Sequence, residues 1–191
     1  GTLTEGAAPA EKIPVHLIVR TDDGSEIGSR MNMMAMSHAG NSSSSSALGA
    51  PKDAGAEYRK TLEFSPCELR LAAYLPGRAA AVSPVVTLLP GDSEKTVELV
   101  LTRGANVDVL IQDESGKPIP QAWLQRSESI TVRGGSSSFG SQEQQADPQG
   151  RLRLEHIGQA DHSLAVQAPG YQRVQMKQHF RDPAEFTAES P

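Results

Sequence analysis

The sequence predicts an all-β protein, two tandem antiparallel β-sandwiches with no helix of useful length. Three observations point there. Apolar and polar residues alternate with period two along much of the chain, turn-forming residues recur about every eight to twelve positions, and the two halves repeat one another. The repeat is seen at separated landmarks: Val15 and Val107 lie 92 residues apart, as do Ile27 and Ile119, while Leu71 and Leu164 lie 93 apart.

In chain order, residues 1–12 carry no alternating pattern and are expected to be an N-terminal tail. The first repeat spans 13–103. Val15, Leu17 and Val19 share one strand face and run into the Asp23-Gly24 turn. Residues 38–56, with their run from Ser42 to Ser46, have a composition that buries little apolar area, and a mobile loop is expected there. Leu69, Leu71, Ala73 and Leu75 line the next strand. Ala79-Ala80-Ala81 could begin a helix but meets Ser83-Pro84, and Val85 to Leu89 prefers a strand. After the turn at Pro90-Gly91-Asp92, Val97, Leu99 and Leu101 close the first copy.

Arg103-Gly104-Ala105 forms a very short joint, and so tight a junction predicts little freedom between the copies. The second repeat, 105–191, opens with Val107, Val109 and Ile111 and turns at Ser115-Gly116-Lys117-Pro118. A Gly/Ser-rich segment, 133–149, is expected as the counterpart of the first mobile loop. The turn Asp147-Pro148-Gln149-Gly150 leads to Leu152 and Leu154, then to Leu164, Val166 and Ala168. For a closing strand only Ala184-Glu185-Phe186-Thr187-Ala188 is available.

Three motifs follow in order in the second repeat: Gly116-Lys117-Pro118-Ile119-Pro120-Gln121-Ala122, Asp147-Pro148-Gln149-Gly150-Arg151-Leu152-Arg153-Leu154, and Leu164-Ala165-Val166-Gln167-Ala168-Pro169-Gly170-Tyr171. Together they resemble the carboxypeptidase regulatory-like domain, whose fold is transthyretin-like (prealbumin-like). Here Gln121 stands where that family commonly has Gly, and His162 where it has Tyr. The resemblance implies a noncatalytic accessory role beside other domains of a larger exported or cell-surface protein, in an extracellular, periplasmic or surface setting. The carboxypeptidase activity in the family's name does not carry over, because no metal triad or acid accompanies these motifs.

Charge and composition narrow the alternatives. A formal net charge of −5 offers no clustered cation for nucleic acid or anionic lipid. No apolar run approaches the ~18 residues of a membrane helix. The chain starts at Gly1 without Met and shows no basic-then-apolar leader, so an upstream leader or anchor remains compatible with it. No cofactor is expected. Cys67 stands alone beside a strand, where a buried inert thiol is the ordinary arrangement. His156 and His162 fall on strands expected to be neighbours, but the spacing is not that of a metal site, and solvent-facing or strand-edge histidines account for the pattern. Asp22, Asp23 and Glu26 surround Gly24 without EF-hand spacing, as in an ordinary turn. The serine runs lack a nucleophile elbow. None of the lysines is centred on an apolar strand face, which argues against an intramolecular Lys–Asn cross-link.

Met31, Met33, Met34 and Met36 are read as filling an irregular core, and Trp123 as packing into one. A second functional reading is a carbohydrate- or protein-binding module using loop tips with Trp123, Tyr74 or Tyr171. A third, a hydrolase, would need a cleft with perturbed titratable groups that the sequence does not display.

Overall fold

The computed structural model describes residues 11–52, 55–133 and 135–179. Within them the chain forms strands β1 (Ile13–Thr21), β2 (Asn32–Ala39), β3 (Ser42–Ala47), β4 (Glu57–Phe64), β5 (Cys67–Tyr74), β6 (Ala81–Val82), β7 (Val86–Leu88) and β8 (Lys95–Leu101) in the first half. The second half contributes β9 (Ala105–Leu110), β10 (Trp123–Val132), β11 (Gly135–Gln145), β12 (Arg151–Ile157), β13 (Asp161–Gln167) and β14 (Val174–His179). No described residue is helical.

The first half is a sandwich of two sheets, ordered β4-β1-β8 and β3-β2-β5, with β6 and β7 both paired to β5. In the second half β12 pairs with β9, and the facing sheet is ordered β11-β10-β13-β14. The fold is all-β, as the alternation predicts. One pair departs from the expected antiparallel pattern: β8 runs parallel to β1. The chain reaches β8 from β7 in the opposite sheet, and a crossover between sheets delivers a strand in either direction, whereas a tight hairpin can only reverse it.

The two serine-rich segments are strands where loops are expected. Gly40, at φ 60°, turns β2 directly into β3, and Ser42 to Ser46 pair with residues 35 to 39 of β2. All six side chains of β3 are exposed. Ser37 and Ser44 hydroxyls meet at 2.9 Å, and His38 Nδ1 lies 2.8 Å from Ser43 Oγ. The ladder is made by backbone groups, so a sheet edge needs no apolar residue, and hydroxyl pairs across it add support. Likewise β11 pairs with β10 over its whole length, with a bulge at Glu128/Ser129. The expected closing strand at Ala184–Ala188 lies outside the described residues; β14 is a strand that the alternation does not reveal.

Among the described residues three apolar cores result. Val15, Leu17 and Val19 pack with Met31, Met33, Leu69, Leu71, Val97, Leu99 and Leu101 between the first two sheets. The second core gathers Ile111, Leu124, Leu154, Ile157 and Leu164. The third joins Met36, Ala72, Ala80 and Val82 of the first half to Ile130, Val132 and Ala160 of the second. Met31, Met33 and Met36 are thus core residues, as read from the sequence, but they serve two different cores.

Strand β10 explains the division. Its inward residues alternate strictly, yet Leu124 enters the second core while Ile130 and Val132 enter the third. Between them, on the same face, sit Arg126 and Glu128.

Candidate functional site

The three aromatics proposed for ligand contact fall in three different surroundings. Trp123 opens β10 opposite Gln145 and Gln167, and its side chain is 44% exposed, which corrects the expectation that it packs into a core. The inward set on β10 starts at Leu124, so the pleat turns Trp123 to the other face. Tyr171 lies in the turn after β13 and is 49% exposed. Tyr74 ends β5, half-buried against the third core together with Met34 and Phe139.

The polar group on the inner face of β10 is the feature that sequence reasoning missed. Arg126, Glu128 and His162 are all buried. Arg126 donates from Nη1 to the Glu155 carbonyl and from Nη2 to Gln142 Oε1, both at 2.8 Å, while its Nε has no hydrogen-bond partner. Glu128 Oε1 lies 3.6 Å from Arg126 Nη2 and 3.8 Å from His162 Nδ1. His162 Nε2 contacts the Gly158 carbonyl at 3.3 Å. Burial pushes the Glu128 carboxyl above its ordinary range, against the pull of Arg126. Burial lowers His162 to about 4, with Arg126 acting in the same direction and the Gly158 carbonyl and Asp161 opposing.

A carboxylate beside an imidazole has the composition of an acid–base pair, but these are sealed beneath two sheets, out of reach of a substrate. Their chemistry is structural, linking β10 to β12 and β13. His162 is therefore not solvent-facing, and its strand β13 is not hydrogen-bonded to the strand of His156. The latter sits on β12 at φ 58°, beside an irregularity in the ladder, with Nδ1 2.8 Å from the Arg103 carbonyl. Only the departure from Tyr at position 162 hinted at the cluster, since an alternating strand hides which polar residues lie on the covered face.

A pH dependence follows. His162 ionises at about 4 in the fold against 6.5 as its ordinary value, so between these limits the unfolded chain binds more protons. Stability is then fully present above pH 6.5 and falls toward pH 4, by on the order of 3 kcal/mol from His162 alone. Glu128, raised in the fold, works in the opposite direction and offsets part of this. Urea midpoints measured from pH 7.5 to 4 should fall in the wild type and show a shallower slope in His162→Tyr; equal slopes would exclude His162 as the cause.

The other candidates resolve as ordinary structure. Asp22 and Asp23 are both taken by Arg78, at 2.7 and 2.6 Å, and that guanidinium holds Asp23 well below the usual carboxylate range. Cys67 is half-buried against the first core, and burial raises its thiol. Among the described residues no three His, Cys, Asp or Glu side chains converge as a metal site, and no helix is long and apolar enough to cross a membrane.

A mainly apolar groove of about 850 Å³ lies in the second half, bounded by β9, the Asp113 to Ser115 turn, β13 and Tyr171. It includes neither Trp123 nor Tyr74.

No protein-family model matches the chain, and no curated protein matches it in sequence. Several solved structures are weakly similar to it. A streptococcal ancillary pilin is 16% identical with a TM-score of 0.32, over 87% of this chain and 58% of the pilin. The shaft pilin of Lactobacillus rhamnosus GG is 10% identical with a TM-score of 0.30, over 87% of this chain and 94% of that one. A DUF3823 family protein from Parabacteroides merdae is 13% identical with a TM-score of 0.29, over 88% and 98%. The chain thus spans less than two thirds of the ancillary pilin's length.

Proposed function

We propose that this chain is a noncatalytic structural or accessory module of a larger exported or cell-surface protein. In this reading two carboxypeptidase regulatory-like sandwiches, 13–103 and 105–191, are locked into one stiff unit that holds its neighbours at a set spacing. The observation that supports it most is the third core, in which Ile130 and Val132 pack against Met36, Ala72 and Val82. Burying such side chains contributes roughly 1.5–3 kcal/mol each, more than flexible tethering would require. Polar links cross the same seam: Arg133 to Glu68 at 2.6 Å and Arg70 Nη1 to the Thr131 carbonyl at 3.3 Å.

Calorimetry with small-angle scattering tests this. One cooperative unfolding transition and a single extended particle are expected, with Ile130→Asp splitting the transition in two and broadening the particle. Two independent transitions in the unaltered chain, or turnover of generic ester or peptide substrates, would overturn the reading.

A second reading, a carbohydrate- or protein-binding module, is favoured by the exposure of Trp123 and Tyr171 at the same end of the β10–β13 sheet. A glycan array probed with the wild type and Trp123→Ala separates the two: binding lost in the variant would favour it, and silence would leave the structural role.

A further inference from the structure

Strand β2 carries methionines to both faces of its sheet. The pleat sends Met33 into the first core, and Met34 and Met36 toward the second half. Met31, Met33 and Met36 are 0%, 4% and 3% exposed, whereas Met34 is only partly buried. What stands beside and above each side chain explains the difference. Met36 lies under Gly135 of β11, which comes so close that a Cβ there would sit 2.7 Å from Met36 Cε. Met34 is flanked across the ladder by Ala47 of β3 and Ala72 of β5, side chains too short to shield a thioether.

At this point the halves leave a cavity of about 320 Å³, which Met34 lines together with Tyr74 of β5 and Ser138 and Phe139 of β11. The bulge in β11 brings Phe139 here: Glu128 pairs with Gly140 and Ser129 with Ser138, so Phe139 is left out of the ladder. A bulge re-aims the side chain that it carries, and Phe139 packs against the third core, as Met34 and Tyr74 do. The exposed Asn32 and Ser138 belong to the same lining, so the space is open to solvent. It is large enough for several waters, and a peroxide is little bigger than one.

We propose that Met34 is an oxidative modification site, at which a hydroperoxide loosens the contact between the halves. The sulfur lone pair attacks one peroxide oxygen, and the S–O bond forms as the O–O bond breaks. The sulfur gives up two electrons, and the proton of the attacked oxygen passes to the leaving one, which departs as water or an alcohol. The product is a sulfoxide, polar where the thioether was apolar. Held against Ala72, Tyr74 and Phe139, its oxygen would be desolvated without a donor. Turned to water, it withdraws Met34 from the third core. Either way the seam loses apolar packing. The inference rests on the locking of the halves proposed above.

Limited hydrogen peroxide treatment of the full chain, mapped by tandem mass spectrometry and followed by calorimetry, tests it. Met34 should oxidise about tenfold or more faster than Met31, Met33 and Met36, because accessibility of the sulfur sets the rate. One oxygen on Met34 should lower the single unfolding transition by roughly 5 °C. Methionine sulfoxide reductase with a thiol reductant should restore it, and Met34→Leu should keep its transition through the same treatment. Should Met34→Leu fail to fold, Met176→Leu decides instead, since it must still lose and regain its transition. Equal rates at the four methionines would overturn the proposal, as would an equal loss in Met34→Leu, which would put the cause at Cys67 or Met176. One transition that oxidation of Met34 leaves unmoved overturns this inference alone; two transitions before any treatment overturn the locking as well.

Discussion

Gly104→Ala is expected to cost about 3 kcal/mol and to lower the melting temperature by roughly 6–12 °C. Two effects combine. Gly104 has φ 68°, a left-handed conformation in which a Cβ costs roughly 1–2 kcal/mol. A Cβ built there would also lie 2.6 Å from Ala79 Cβ and 2.7 Å from the Ile157 carbonyl oxygen. The second neighbour is backbone and cannot rotate aside, so the halves must separate or β12 must shift. Gly77→Ala isolates the two effects, since Gly77 has φ 80° but open space around its Cα. Thermal melts should show Gly104→Ala clearly worse than Gly77→Ala; equal losses would mean that the halves do not meet closely at the joint.

The second large effect is expected at Arg126. Replacing it with Met should cost about 3–5 kcal/mol at neutral pH, the usual result of stranding a buried partner. The Glu155 carbonyl and Gln142 Oε1 each lose a donor at 2.8 Å, and Glu128 loses its nearest cation. Glu128 can escape by taking up a proton, which its burial already favours. The penalty should therefore grow as pH rises from 5 to 8, because holding that carboxyl neutral becomes harder. Arg126→Met/Glu128→Leu should recover much of the loss. Urea unfolding of the two single variants and the double variant measures the coupling; additive losses would show that Arg126 and Glu128 do not act as a pair.

The inward positions of most strands were legible because alternation is a local property. Leu69, Leu71 and Ala73 are fully buried as their pattern predicts, and so are Val15 and Leu17. The turns at Gly91, Gly116 and Gly150 were legible for a similar reason: each glycine holds a positive φ that other residues avoid. Serine segments were misread because composition reports what a side chain can bury, whereas an edge strand is held by its backbone. The Gly40-Asn41 pair between two residues of similar pattern was the available hairpin signal.

The sequence alone determined the all-β class and the internal offset of 92 residues, since each depends on residues read in order. Only the tertiary structure decided that one strand serves two cores, because alternation shows that Leu124, Arg126, Glu128, Ile130 and Val132 share a face without showing what covers it. It likewise decided that Trp123 faces outward and that His162 lies buried beside Glu128. Burial depends on which sheets meet, and sheets meet through residues far apart in the chain.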